Sequence, residues 1–225
     1  MRNETLQELL ISLQRNGISD PRVLQAMART PREMFISDSE LKEYAYADEA
    51  LPIECEQTIS QPFVVAFMTE RLHLTPDNEV LEIGTGSGYQ AAILSRLARH
   101  AYTIETHDEL HRLATGRFNE LGLTNITAIT GDGTRGWPEF RRFERIIVTA
   151  GTETIPEELL DQLAPCGFMV IPLGLRDDQR ITLVTRCNGR IESQPLLPVR
   201  FVPLVRTSAK LVADLQSGGA GVCGA

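Results

Sequence analysis

Cysteine is sparse and scattered in this chain. Four of its 225 residues are cysteine (Cys55, Cys166, Cys187 and Cys223), and no two of them form a CxxC pair. That spacing offers no zinc ribbon and no disulfide framework, and it reads as reduced thiols in a reducing compartment. Basic residues are also in deficit, with 22 Lys and Arg against 30 Asp and Glu and a formal net charge of -8. A global attraction to nucleic acid or to an anionic membrane is therefore excluded. No apolar run approaches the roughly 20 residues of a membrane-spanning helix. The opening MRNETLQELLISLQRNG has no small-residue cleavage site and is not a signal peptide. No internal repeat is visible. These absences leave a cytoplasmic protein, expected to be a monomer without nucleic-acid or membrane partners.

What the chain does have is a hydrophobic content of 42%, enough for one sizeable domain. Residues 1–206 are expected to form that domain, with a helical part over about 1–75 and a flexible Gly-rich tail over 207–225. Leu6, Leu9, Leu10 and Leu13 recur at helical spacing before Gly17. Asp20-Pro21 reads as a cap and first turn, with Val23, Leu24 and Met27 facing inward, and Thr30-Pro31 reads as a second start. The stretch Asp48 to Gln61 has little periodicity, and a long irregular segment inside a compact domain is usually functional or mobile. A helical pattern returns over Phe63–Leu72.

From Asn78 the texture alternates. Strands are predicted at Glu79–Gly84, Ala101–Glu105, Ile126–Thr130, Arg145–Ala150 and Gly167–Leu173. Helices are predicted at Gln90–Arg99, Asp108–Leu121 and Pro156–Leu163. Apolar strands separated by helices indicate a doubly wound, mostly parallel α/β sheet covered on both faces. Gln179–Arg186 and Arg190–Leu197 follow without a helix between them and predict an antiparallel C-terminal edge.

The chemistry begins at Val80-Leu81-Glu82-Ile83-Gly84-Thr85-Gly86-Ser87-Gly88-Tyr89, where a strand hands over to a helix. Glycines there let the backbone turn tightly and approach a ligand. A dinucleotide prefers G-x-G-x-x-G, but this turn is G-x-G-x-G. Glu82, two residues before the first glycine, would repel a pyrophosphate. It suits the ammonium of a methionine moiety, directly or through water. The turn therefore points to S-adenosylmethionine, with Gly84, Thr85, Gly86, Ser87 and Gly88 around it. Glu105 ends the next strand about 20 residues on, where an acid bonds ribose hydroxyls. Asp132, between Gly131 and Gly133, can accept from the adenine amine, while Gly133 leaves room for the ring. The bland alternatives are a helix cap for Glu105 and an Asx turn for Asp132.

LEIGTGSGYQAA, GDGTRGWPE, RIIVTAG, QTISQP and VIPLG together resemble the protein-L-isoaspartate O-methyltransferases, in a match that runs in order from about Thr30 to Val205. The resemblance implies a Rossmann-like class I methyltransferase fold with a topological variant at its C-terminal edge. It implies methyl transfer from S-adenosylmethionine to the free carboxylate of L-isoaspartyl residues in damaged proteins. It makes Ser60 the active-site residue, with Thr58, Ile59 and Gln61 lining the channel between donor and substrate. The stretch Pro198 to Leu204, including Val199 and Arg200, looks like the segment that holds substrate backbone. The chain departs from the family at Glu54-Cys55-Glu56, where a glycine-rich lead is usual. Two carboxylates there could repel a carboxylate substrate unless they point away. Alternatives are a methyltransferase for a small molecule or RNA, a silent cofactor-binding homologue, and a nicotinamide oxidoreductase.

Two motifs are set aside. His107-Asp108-Glu109-Leu110-His111 is a loose match to a zinc helix without a third ligand, so a solvated helix face and no metal are expected. Trp137 and Phe140 read as packing, with Trp137 at the rim of the adenine pocket.

Overall fold

The computed structural model describes residues 4–139 and 141–206. Phe140 and the expected tail lie outside the described residues. The chain opens with α1 (Leu6–Arg15), where Thr5 and Glu8 form a reciprocal capping box. In α2 (Pro21–Ala28), Pro21 takes the first turn and the Asp20 side chain accepts from Arg22 N at 2.8 Å, as its sequence predicts. Thr30-Pro31 introduces only a 3-10 turn, Arg32–Phe35, rather than a full helix.

The stretch expected to be irregular contains a small antiparallel hairpin, β1 (Leu51–Pro52) with β2 (Thr58–Ile59). Its tip holds Cys55 and Glu56 at φ 57° and 56°. Side chains rarely adopt this left-handed region, which is why no glycine signal marked the turn. α3 (Pro62–Arg71) follows, and its Glu70 accepts from Ser19 N and Asp20 N at 2.7 Å, tying it to the start of α2.

The sheet is then laid down as β3 (Glu79–Ile83), α4 (Tyr89–Ser95), β4 (His100–Glu105), α5 (Asp108–Glu120), β5 (Ile126–Thr130), β6 (Phe143–Val148), α6 (Glu157–Gln162), β7 (Leu163–Leu173), β8 (Gln179–Cys187) and β9 (Arg190–Val199). Strand order is β5-β4-β3-β6-β7-β8-β9. Pairing is parallel from β5 to β7 and antiparallel for β7–β8 and β8–β9. The last three strands form a simple meander, the edge variant that the resemblance implies. β3 carries the glycine turn and sits between β4 and β6, where the direction of winding reverses. Ligands of such sheets bind outside the carboxyl ends of the strands at that point.

The core is divided by the sheet. One apolar cluster joins α1, α2 and α3 to the inner faces of α4 and α5 through Leu9, Leu13, Phe35, Ala66 and Phe118. A second, around Leu81, Ile83, Phe143, Ile146 and Met169, fills the face toward α6. Trp137 belongs to this second cluster, edge-on to Tyr102 at 5.0 Å, with its main chain bound to the Gln162 amide at 2.8 Å on both sides.

Candidate active site

One cavity lies at the carboxyl ends of β3, β4 and β6. It is walled by Gln57–Ser60 of the hairpin region, Val64, Val65 and Met68 of α3, the glycine turn, and Glu105–His107. Gly133, Thr149, Ala150 and the strap Phe201–Val205 complete it. Elements more than 140 positions apart in sequence therefore meet here.

The glycine turn is shaped by its neighbours. Gly84, Gly86 and Gly88 have φ of 94°, 53° and 90°, conformations that favour glycine. A Cβ at Gly84 would lie 2.5 Å from Thr149 Oγ1, while one at Gly86 would meet only Ile53 Cδ1 at 4.0 Å. Gly86 thus leaves space open toward the cavity. Gly88 does not line the cavity. It caps α4, and a Cβ there would strike the Phe118 ring at 2.8 Å, so its glycine serves helix packing.

Glu105 locks the turn to the end of β4. Its Oε2 accepts from Gly86 N at 2.7 Å, and its Oε1 accepts from Thr106 N and His107 N at 2.9 and 3.0 Å. Among the described residues it is the one carboxylate in the cavity wall. Glu82 lies beneath the turn and outside the wall, fully buried in β3. Thr103 donates to its Oε2 at 2.5 Å, and Thr85 and Thr103 share a hydrogen bond at 2.6 Å. Glu82 Oε1 is buried without a partner among the described residues. Burial pushes this carboxyl up to about 8, against the Thr103 bond and with help from the charge of Glu105.

Asp132 holds the turn Gly133–Arg135, its Oδ1 accepting from Thr134 N at 2.9 Å and Thr134 Oγ1 at 2.7 Å. Gly133 lines the cavity and Asp132 does not. A Cβ at Gly133 would run into Ile83 Cγ2.

Ser60, Thr58 and Ile59 line the cavity, and Gln61 does not. Gln61 is the N-cap of α3, with its side chain turned to Asp48 Oδ2 at 3.1 Å. The Ser60 hydroxyl does not cap that helix. The Phe63 N–H is taken by Asp48 Oδ1 at 2.7 Å, and among the described residues the Ser60 hydroxyl has no hydrogen bond. Its carbonyl accepts from Arg32 Nη2 at 3.1 Å.

The late segment reaches the cavity further along than Val199 and Arg200. Val199 ends β9 against Gln179, and Arg200 is 75% exposed and paired with Asp177 at 2.9 Å. After β9 the chain turns back. Gly151 N donates to Val202 O at 2.8 Å, Leu204 N donates to Gly151 O at 2.7 Å, and the buried Gln179 accepts from Phe201 N at 2.7 Å. These bonds bring Phe201–Val205 to the wall instead.

The carboxylates at the departure Glu54-Cys55-Glu56 point away. Glu56 is exposed and Glu54 sits by Ser37 and Arg117, and neither lines the cavity. Burial pushes the Glu54 carboxyl up, but the Ser37 hydrogen bond and the Arg117 charge outweigh it and hold it low. Trp137 is absent from the rim, and His107 is half-buried in the wall beside the exposed Asp108 and Glu109. His111 meets Ala128 O at 3.2 Å. Among the described residues no group of three or more His, Cys, Asp or Glu could hold a metal. Sequence reasoning missed Tyr89, Gln90, Thr149 and the apolar wall of α3, because nothing local distinguishes them from core residues.

Among the described residues no Lys or Arg lines the cavity. A pyrophosphate would find a carboxylate and no cation. An uncharged nucleoside joined to a cationic chain would find a tight glycine cradle with Glu105 in the wall, and the unpartnered Glu82 oxygen lies buried beneath the turn. Fold and cavity together define a Rossmann-like methyltransferase.

Comparisons with known proteins narrow that class. The family model for Protein-L-isoaspartate(D-aspartate) O-methyltransferase matches residues 3–209. The Protein-L-isoaspartate O-methyltransferase of Parvibaculum lavamentivorans is 52% identical over 206 residues, covering 90% of this chain and 92% of the relative. That of Rhodospirillum centenum is 54% identical over 199 residues, covering 88% and 90%. The crystal structure of a Plasmodium falciparum protein described as a putative protein-L-isoaspartate O-methyltransferase, in complex with S-adenosyl-L-homocysteine, superposes with a TM-score of 0.80. It is 25% identical, covering 91% of this chain and 100% of that one. The chain belongs to the protein-L-isoaspartate(D-aspartate) O-methyltransferase family.

Proposed function

We propose that this protein transfers a methyl group from S-adenosylmethionine to the free carboxylate of L-isoaspartyl residues in damaged proteins and peptides, starting their repair. The observation that carries this reading is the meeting of Ser60 and the glycine turn in one cavity, in a chain of this family.

When bound, S-adenosylmethionine supplies an electrophilic methyl group on a sulfonium that is a strong leaving group. Gly84, Thr85, Gly86 and Ser87 would cradle it, Glu105 would hold the ribose hydroxyls, and the Asp132–Gly133 turn would bound the adenine. Glu82, buried beneath the turn, would act on the methionine ammonium only from behind the glycines. The acceptor carboxylate is already ionised at neutral pH and needs no general base. The Ser60 hydroxyl, unengaged by the protein, would donate to that carboxylate and aim it. Ile59, Val65 and Met68 would exclude water. The methyl ester product then closes to a succinimide as the neighbouring main-chain nitrogen attacks and methanol leaves.

Among the described residues no helix is long and apolar enough to cross a membrane, and Cys55, Cys166 and Cys187 are unpaired. Unpaired thiols fit a reducing compartment such as the cytoplasm. The test is methyl transfer from labelled S-adenosylmethionine to matched L-isoaspartyl and L-aspartyl peptides. Base-labile label on the isoaspartyl peptide alone is expected. Label on neither, with cofactor still bound, would sink the acceptor assignment.

A further inference from the structure

Ser60 sits at a junction, between Ile59 of β2 and Gln61 at the cap of α3. Such a position has no intrinsic reason to hold one conformation. Two side chains from earlier in the chain hold it at its carbonyl and just beyond. Arg32 is fully buried, and its guanidinium donates to Ala45 O at 2.6 Å, Glu49 O at 3.0 Å and Ser60 O at 3.1 Å. Asp48 accepts from Phe63 N at 2.7 Å and from Gln61 Nε2 at 3.1 Å. The carbonyl of Ser60 is thus tied to Arg32, and the two residues Gln61 and Phe63 that follow it are tied to Asp48. Neither Arg32 nor Asp48 lines the cavity.

Burying a guanidinium is costly, and these hydrogen bonds all go to uncharged main-chain carbonyls. Apolar packing would hold the same segment without that cost. What a planar fork adds is geometry, because it fixes three carbonyl positions at once. Rotation of the chain at Ser60 would break the Arg32 bond or the Asp48 bonds.

We infer that Arg32 and Asp48 are positioning residues for methyl transfer, holding the main chain at the Ser60 carbonyl and immediately after it so that its hydroxyl points into the cavity at the acceptor. The inference rests on the role proposed above for Ser60. It also gives a reason for the helical part before the sheet, which delivers this clamp.

The experiment compares wild type with Asp48→Ala, Asp48→Asn, Arg32→Lys and Ser60→Ala, and combines Asp48→Ala with Ser60→Ala. The readouts are kcat and KM on an isoaspartyl peptide, S-adenosylhomocysteine affinity by calorimetry, and thermal midpoint. A small misplacement of a reacting group costs up to about a hundredfold, so Asp48→Ala should lower kcat roughly tenfold to a hundredfold. Cofactor affinity should stay within about threefold, since the clamp lies outside that half of the site. Asp48→Asn should recover part of the rate, because its amide oxygen still accepts from Phe63 N. Arg32→Lys keeps the charge but not the fork and should resemble Asp48→Ala. In the Ser60→Ala background, Asp48→Ala should cost no more than about twofold, the mark of acting through Ser60. Undiminished kcat in Asp48→Ala, an equal loss in both backgrounds, or parallel loss of cofactor affinity would each overturn the inference. A wild type that binds cofactor but leaves the peptide unlabelled removes the functional reading itself, and the inference with it. An active wild type with additive losses removes the clamp alone.

Discussion

The two walls of the cavity are built in different ways. The wall proposed for the cofactor is main-chain geometry: Gly84 and Gly86 in left-handed conformations, one carboxylate gripping their turn, and a strand on each side of β3. The acceptor wall is side-chain scaffolding, in which Arg32 and Asp48 pin a junction that no regular element defines. The first tolerates little substitution within its motif. The second depends on residues that sit elsewhere in the sequence, and its failure should leave cofactor binding intact.

Several changes would break or sharpen that contrast. Gly84→Ala should be the most damaging, because φ is 94° and Thr149 Oγ1 would lie 2.5 Å from the new carbon. Left-handed strain costs about 1–3 kcal/mol, so S-adenosylhomocysteine affinity, measured by calorimetry, should fall by up to about a hundredfold. Retained affinity would show that the turn does not form the cradle. Ser60→Ala should strike the other wall, lowering kcat by about tenfold to a hundredfold, the worth of one hydrogen bond to a charged group. Equal loss of cofactor affinity would place Ser60 in the cofactor half instead.

Glu82 gives a pH test of the cofactor wall. Its folded value near 8 lies above the ordinary 4.5, so the folded protein keeps a proton that the unfolded chain releases between these values. Stability without cofactor should therefore fall as pH rises through that window. Glu82→Gln should lack that slope and be more stable than wild type at pH near 8 by on the order of 1 kcal/mol, as urea unfolding would report. Parallel curves for the two proteins would contradict this. Arg200→Ala should matter least. Arg200 and Asp177 are both solvent-exposed, and such a pair contributes about 0–1 kcal/mol, so peptide KM should move by less than about threefold.

The contrast also explains what could be read in advance. The sheet was legible because its strands are continuous apolar runs, and the glycine turn because its residues are consecutive. The helix start at Asp20-Pro21 was legible for the same local reason. The hairpin β1–β2 was not, since Cys55 and Glu56 take conformations that sequence rules reserve for glycine. The cap of α3 was not, because Asp48 lies 15 residues from the Phe63 N–H it accepts. Val199 and Arg200 marked the right segment, but the reversal after β9 depends on bonds to Gly151 and Gln179 that no local pattern announces.

The strap Phe201–Val205 bears on how the enzyme comes to life during synthesis. It is held beside β6 by a single parallel bridge, Gly151 to Pro203, and by the Gln179 amide. A nascent chain that has emerged only as far as Val199 already possesses every strand of the seven-stranded sheet, yet one side of its cavity stands open. The seven strands are complete by Val199, whereas the cavity wall needs the strap Phe201–Val205 that follows them.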